Sequence, residues 1–286
     1  MKQKQVLPYI LVTPSILILS LVVLVPVIFI IILSFCKSNL ISTFQFVGFE
    51  NFRELLFNDP YFWTVVKNTI IWTVASVTLE YIISLGIALL LNRDVPGKRF
   101  FRGIILLPWI IPPVTAALIW LTFYDPNNGV FNYFLAKFGL PPRAWLVEQS
   151  LVLPSLIAIA VWKYSPFMIV SLLSGLQSIP SELYEAAAVD GATGWKAFKY
   201  VTFPLLMPIT SVLIILGTIW RAGHFDLVAL LTGGGPANAS HLLSTYSYNA
   251  LNLQLQAGLS SAIALMGVIG LSIFMVIYIK KVRRSD

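Results

Sequence analysis

A few charged side chains stand out because they sit inside long apolar runs. Lys163 lies in Val161-Trp162-Lys163-Tyr164, Glu80 interrupts a second run, and Arg221 and Asp226 stand near the end of a third, beside Trp220 and His224. A charge in an apolar interior is costly unless it is paired or put to use. Aromatic faces next to hydrogen-bonding groups suit a polyhydroxylated ligand, whose C–H faces are apolar and whose hydroxyls need partners. On that reading Trp162, Lys163, Tyr164, Trp220, Arg221, His224 and Asp226 are candidate ligand-pathway residues. Arg221 can also serve an anionic ligand, with Asp226 close by to neutralise it. The purely structural alternative pairs Lys163 with Glu80 between helices and Arg221 with Asp226 a turn or so later. It leaves Trp162 and Trp220 as packing or interface anchors.

Other chemistries find little support. No cluster of His, Asp or Ser resembles a catalytic set, and His224 and His241 are too few and too distant in sequence for a metal site. The single cysteine, Cys36, excludes an internal disulfide. Gly233-Gly234-Gly235-Pro236 lacks the lysine and the preceding strand of a phosphate loop. Gly97-Lys98 has Asn92 where the first glycine of a nucleotide-binding loop belongs. No catalytic residue, resident cofactor or metal is expected, and the chain is not read as an enzyme.

The elements that position these residues are membrane spans. Of 286 residues, 58% are hydrophobic and 11% charged, against roughly 25% charged in soluble domains. Six segments are expected to span: Tyr9 to Phe35, Asn68 to Leu91, Gly103 to Phe123, Leu151 to Leu176, Pro204 to Leu230 and Ala257 to Ile279. The first is too long for a signal-peptide core, about 7–15 residues, and is read as retained. Pro108, Pro112 and Pro113 mark a kink or break in the third. The net charge of +7 comes from basic residues at span ends rather than from a nucleic-acid surface. Lys2, Lys4, Arg93, Lys98, Arg99, Arg102, Lys196, Lys199, Lys280, Lys281, Arg283 and Arg284 all fall on one side of a six-span arrangement, which is then the cytoplasm, with both termini. The chain is expected to be one domain, residues 1–286, all-α and multi-pass in the cell (cytoplasmic) membrane. On the outer side Phe49, Phe52, Leu55 and Leu56 form a short amphipathic stripe expected to lie along the membrane surface.

The loop at about 178–204, between spans four and five, carries the most specific signal. Ile179-Pro180 stops span four, Ser181 is placed to cap a new helix, and Glu182 suits its first turn. The helix runs through Glu185-Ala186-Ala187 and ends at Asp190-Gly191, with glycine free to turn left-handed. A second helix, about Trp195 to Thr202, leads into Phe203-Pro204.

Glu185-Ala186-Ala187, three residues, Gly191, nine residues and Val201-Thr202-Phe203-Pro204 resembles the signature of importer-type ABC permeases. Val201 and Phe203 stand where Ile and Leu are usual, and both swaps stay apolar. Asp190 before Gly191 is also common in the sugar-importing branch. Phe46 to Phe52, Gly175 to Pro180, and Phe225-Asp226 followed by Leu231 to Asn238 resemble further segments of the maltose-type permeases, in the right order. The resemblance implies a type I ABC importer permease fold with six transmembrane helices. It implies that Glu185, Ala186, Ala187, Asp190 and Gly191 form the coupling site on a separate ATPase. The partners it implies are a second homologous permease, two ATPase subunits that bind ATP and Mg, an extracytoplasmic solute-binding protein, membrane lipid and a sugar or oligosaccharide. Glycerol 3-phosphate or another sugar derivative is the alternative cargo. A stand-alone secondary transporter would leave the loop signature unexplained.

Overall fold

The computed structural model describes residues 2–38, 44–93 and 96–282. Arg283 and Arg284 lie outside them, as do the side chains of Lys2, Lys4, Arg99 and Lys281. In chain order come α1 (Lys2–Ser34), β1 (Cys36–Lys37), β2 (Gln45–Phe46), α2 (Glu50–Arg53) running into a π-helical turn (Glu54–Asn58), α3 (Phe62–Asn92), α4 (Lys98–Ile110), α5 (Pro113–Phe123) and α6 (Val130–Lys137). Next are α7 (Gln149–Gln177), α8 (Ser181–Val189), α9 (Trp195–Ala197) with a π turn (Phe198–Thr202), α10 (Phe203–Ala222), α11 (Asp226–Leu231), α12 (Leu243–Asn252) and α13 (Ala257–Val282).

Among the described residues, five segments are long and apolar enough to cross a membrane: Leu11–Ser34, Phe62–Asn92, Gln149–Gln177, Trp195–Leu231 and Ala257–Lys280. The third expected span is instead two helices, α4 and α5, meeting at 97°; counted as one span they bring the total to six. The prolines explain the break. In a straight helix the carbonyls of Pro108 and Trp109 would accept from residues 112 and 113, and both are prolines with no N–H. Residues before a proline avoid the helical region, so Ile111 (ψ 129°) and Pro112 (ψ 147°) are extended. Pro113 then takes the first turn of α5, where its missing N–H costs nothing.

The chain forms two compact units. One holds the described residues of Met1–Trp63 with Tyr246–Gly270. Here the side chains of α1 from Leu11 onward are almost all exposed, and such a surface is stable only against lipid or another apolar protein. Asn51 Nδ2 donates to the carbonyls of Ser34 (2.9 Å) and Cys36 (3.0 Å), and Tyr246 Oη donates to Asp59 Oδ2 (2.7 Å). The expected amphipathic stripe is divided: Leu55 is fully buried while Phe49 stays exposed.

The other unit holds Thr64–Thr245 with the described residues of Leu271–Asp286. α7 is its central helix, packed by α4, α10 and α11. One apolar cluster, with Trp72, Leu156, Ile159, Leu227 and Leu242, surrounds the first half of α7. A second, with Ala88, Met168, Leu172, Leu206 and Leu213, surrounds its second half. Between them lies a polar layer. Lys163 is at the midpoint of α7, roughly 21 Å from either end at about 1.5 Å per residue, and Ser84 Oγ donates to the Ser165 carbonyl (3.1 Å).

Candidate functional site

The polar layer is built around Arg221, in the last turn of α10. Its Nε lies 3.5 Å from Oε1 of Glu80 on α3, and both side chains are at most 4% exposed. Its guanidinium carbon sits 3.8 Å from the centre of the Tyr164 ring, a cation–π contact. Trp72 Nε1 donates to the Arg221 carbonyl (3.0 Å). His224 stacks on Trp72 (5.4 Å between centroids) and meets Tyr164 edge-on (5.6 Å). Its Nε2 accepts from the Leu227 N–H (3.4 Å), and its carbonyl accepts from Ser244 Oγ. Even so, Arg221 Nε and Nη1 and Glu80 Oε1 are buried without a hydrogen-bond partner. A guanidinium has five N–H donors, so this pair is charge-compensated but not fully hydrogen-bonded.

A cavity of about 350 Å³ opens beside the pair, lined by Glu80, Trp109, Tyr164, Phe167, Met168, Leu213, Gly217, Trp220, Arg221, His224 and Asp226. Aromatic walls with a few convergent polar groups are the usual make-up of a small-molecule site. Phe167 packs edge-on against Trp220 (5.4 Å) and tilted against Trp109 (6.0 Å), which fixes the rings.

Neither ion pair of the structural alternative forms: Lys163 bonds backbone carbonyls and Arg221 takes a different carboxylate. Lys163 does not pair with Glu80. Its Nζ donates to the carbonyls of Ile111 (2.5 Å) and Pro108 (3.4 Å), at the break between α4 and α5. The prolines leave carbonyls without donors, and an ammonium at a helix C-terminus supplies them and offsets the dipole. Arg221 pairs with Glu80 rather than Asp226. The chain leaves the helix at Gly223, and Asp226 opens α11, where a carboxylate suits the N-terminal end.

Of the seven candidate pathway residues, Tyr164, Trp220, Arg221, His224 and Asp226 line the cavity; Trp162 and Lys163 do not. Trp162 instead packs edge-on against Trp120 (5.4 Å). Glu80, Trp109 and Phe167 line the cavity without being among the residues the sequence singles out as pathway candidates. Helical spacing gives a signal for Phe167, which is one turn from Tyr164, and for Gly217, one turn before Trp220 and Arg221. Trp109 carries no comparable signal, because the break turns it toward the cavity.

The second candidate site is α8. Its N-cap is Pro180 with extended backbone (ψ 138°) and no side-chain cap bond, so Ser181 is the first helical residue and not the cap. Proline holds its own φ in the range a helix entry needs. The stop is a Schellman motif: Gly191 N–H donates to the Ala188 carbonyl (3.0 Å) and Ala192 N–H to the Ala187 carbonyl (2.8 Å), with Gly191 at φ 73°. α8 buries none of its residues; Glu185, Ala186, Asp190 and Gly191 are exposed and Ala187 half-buried. Tyr184 Oη and Thr202 Oγ1 share a hydrogen bond (3.0 Å) that braces α8 against the turn entering α10. The expected second helix is not separate: from Trp195 it continues through Phe198–Thr202 into α10.

Comparisons with known proteins follow the same pattern. A family model described as binding-protein-dependent transport system inner membrane component matches residues 81–284. The trehalose/maltose transport system permease protein MalF of Thermococcus litoralis is 38% identical over 82% of this chain and 79% of its own length. The sn-glycerol-3-phosphate transport system permease protein UgpA of Agrobacterium fabrum is 32% identical over 97% of this chain and 96% of its own. A chain of a solved bacterial alginate ABC transporter, in complex with its alginate pentasaccharide-bound periplasmic protein, superposes with a TM-score of 0.86. It is 25% identical and covers 99% of this chain and 96% of its own.

Proposed function

We propose, for a chain that belongs to the binding-protein-dependent transport system inner membrane components, the role of a sugar-translocating permease subunit in an ATP-driven importer. The observation that carries this reading is α8: a short helix with no buried residue and a rigid stop, standing between α7 and α10. A helix that adds nothing to its own core, yet is held by a Schellman motif and the Tyr184–Thr202 bond, is built to be gripped from outside.

In the proposed assembly two ATPase subunits bind ATP and Mg, and a cleft on one of them receives α8. Glu185 makes the ionic contact, Ala186 and Ala187 allow close approach, and Asp190-Gly191 makes the turn. Closure of the ATPases on ATP moves α8 as a rigid body, and α7 and α10 on either side carry the movement into the membrane. Gly175 adds stiffness to that bracket: a β-carbon there would come within 3.0 Å of Leu206 and 3.1 Å of Ile209, so α7 and α10 pack closely. A second homologous permease completes the pathway, and an extracytoplasmic binding protein delivers the cargo. The relatives named for trehalose/maltose and for glycerol 3-phosphate bracket the cargo class, and the aromatic cavity beside Arg221 favours a sugar. The basic clusters at span ends support a cytoplasmic position for α8 and both termini.

Affinity purification of the chain from its native membrane tests this assembly. An ATPase and a second permease should co-purify in stable ratio. A monodisperse chain that catalyses uptake alone would contradict it.

A further inference from the structure

One helix runs without a break from α9 through the π turn and α10. Residues 200–220 of it carry no charge, and at about 1.5 Å per residue that run is roughly 31 Å long, close to the thickness of a hydrocarbon core. Lys196 and Lys199 therefore stand at its edge, at headgroup depth. Both are exposed, and neither has a carboxylate partner among the described residues. Glu182, Glu185 and Asp190 are near in sequence, on α8 and at its end, yet leave both lysines unpaired.

The rings around the two lysines are fixed. Trp195 stacks on Phe198 (5.0 Å), and Phe198 meets Phe203 (6.0 Å). Lys199 Nζ lies 5.3 Å from the centre of the Tyr200 ring. Trp195 is nevertheless 74% exposed and Tyr200 64%. An indole, a phenol and two ammonium groups turned outward at the end of an apolar run match a headgroup layer, where rings take the apolar boundary and ammonium groups meet phosphates. The same end of the unit holds Arg93, after α3, and Lys98 and Arg102, in α4, because one apolar cluster joins Leu91, Ile105, Ile179 and Leu206 there.

We propose that residues 195–200 are a binding site for acidic phospholipid headgroups, which hold the base of α10 at a fixed depth. A lysine that only orients a span during insertion has no further use for one phospholipid over another. Two unpaired ammonium groups held among rings do. The phosphate of phosphatidylcholine is cancelled by its own choline, whereas phosphatidylglycerol keeps a net negative charge, worth roughly fivefold in affinity for each basic residue near it. α8 packs against α9 and the π turn, so fixing that depth also fixes where α8 stands outside the membrane. The choice of the cytoplasmic leaflet rests on the orientation proposed above; the site itself does not.

The test is native mass spectrometry of the complex as purified from its native membrane, delipidated and titrated with phosphatidylglycerol or phosphatidylcholine. The unaltered complex should bind phosphatidylglycerol about tenfold tighter or more, and Lys196→Gln/Lys199→Gln should bring the two lipids to within about threefold of each other. Lys137→Gln removes a similarly built lysine, 4.7 Å from the centre of the Tyr133 ring on α6, and should leave the preference unchanged. An unchanged preference in the double variant, or the same loss in Lys137→Gln, overturns the site. Loss of a co-purifying subunit from the double variant, whichever lipid is present, also overturns it, since the segment then serves a protein contact. Failure of the importer reading would show separately, as absence of a co-purifying ATPase from the unaltered chain.

Discussion

The loop at α8 and the cavity beside Arg221 belong to one compact unit but are built in opposite ways. α8 is made by backbone: an extended Pro180, two Schellman hydrogen bonds and a left-handed Gly191, with every side chain at or near the surface. The cavity is made by side chains from α3, α4, α7, α10 and α11, with its ion pair almost fully buried. Changes in the cavity must therefore be felt first as lost stability, since buried charges are left without partners. Changes at α8 remove little from the fold and must be felt first as lost communication with a partner.

That contrast orders the expected effects. Arg221→Met leaves the Glu80 carboxyl in the interior without its compensating cation and should cost about 3–5 kcal/mol, seen as a large fall in the thermal midpoint of the detergent-purified complex. Adding Glu80→Gln should recover much of it; a double variant no better than the single would show that the pair is not what holds this layer. Lys163→Met removes the donor to two carbonyls at the α4–α5 break, at roughly 1–3 kcal/mol for each group left unsatisfied. Glu80→Gln should give no recovery here, because Lys163 bonds the helix break and not Glu80; recovery would restore the discarded pairing. Gly191→Ala meets no steric obstacle, only the positive φ of 73°, a local penalty of about 1–2 kcal/mol. Its thermal midpoint should move little while uptake falls by more than half. Tyr184→Phe removes one brace worth about 0.5–1.5 kcal/mol, so it should lower uptake least and leave the midpoint within error.

The same contrast explains what could be read from the chain. The stop of α8 at Asp190-Gly191 was legible because glycine chemistry is local. Span limits were legible to within a few residues for the fourth and sixth spans, but α3 begins at Phe62, six residues before the expected Asn68, and the fifth span at Trp195, nine residues before the expected Pro204. Ser181 misled: a serine ahead of a helix is a common cap, but Pro180 already supplies the entry geometry. The partners of Lys163 and Arg221 were not legible. Each residue had a plausible carboxylate, and the choice depends on where α3 and the broken α4–α5 pair meet α7, which no local spacing records. Pro108, Pro112 and Pro113 did announce a break, yet neither its right angle nor the ammonium that holds it could be seen without the fold.

Substrate-stimulated ATP hydrolysis by the reconstituted importer carrying Glu185→Lys tests the central claim most directly. Glu185 is exposed and supports no part of the fold, so the variant should insert and assemble its own unit normally. Stimulation by cargo-loaded binding protein should be abolished or fall at least tenfold, with the thermal midpoint of the chain unchanged. Full stimulation at the unaltered level would contradict the assignment of α8 as the joint between this chain and its ATPase.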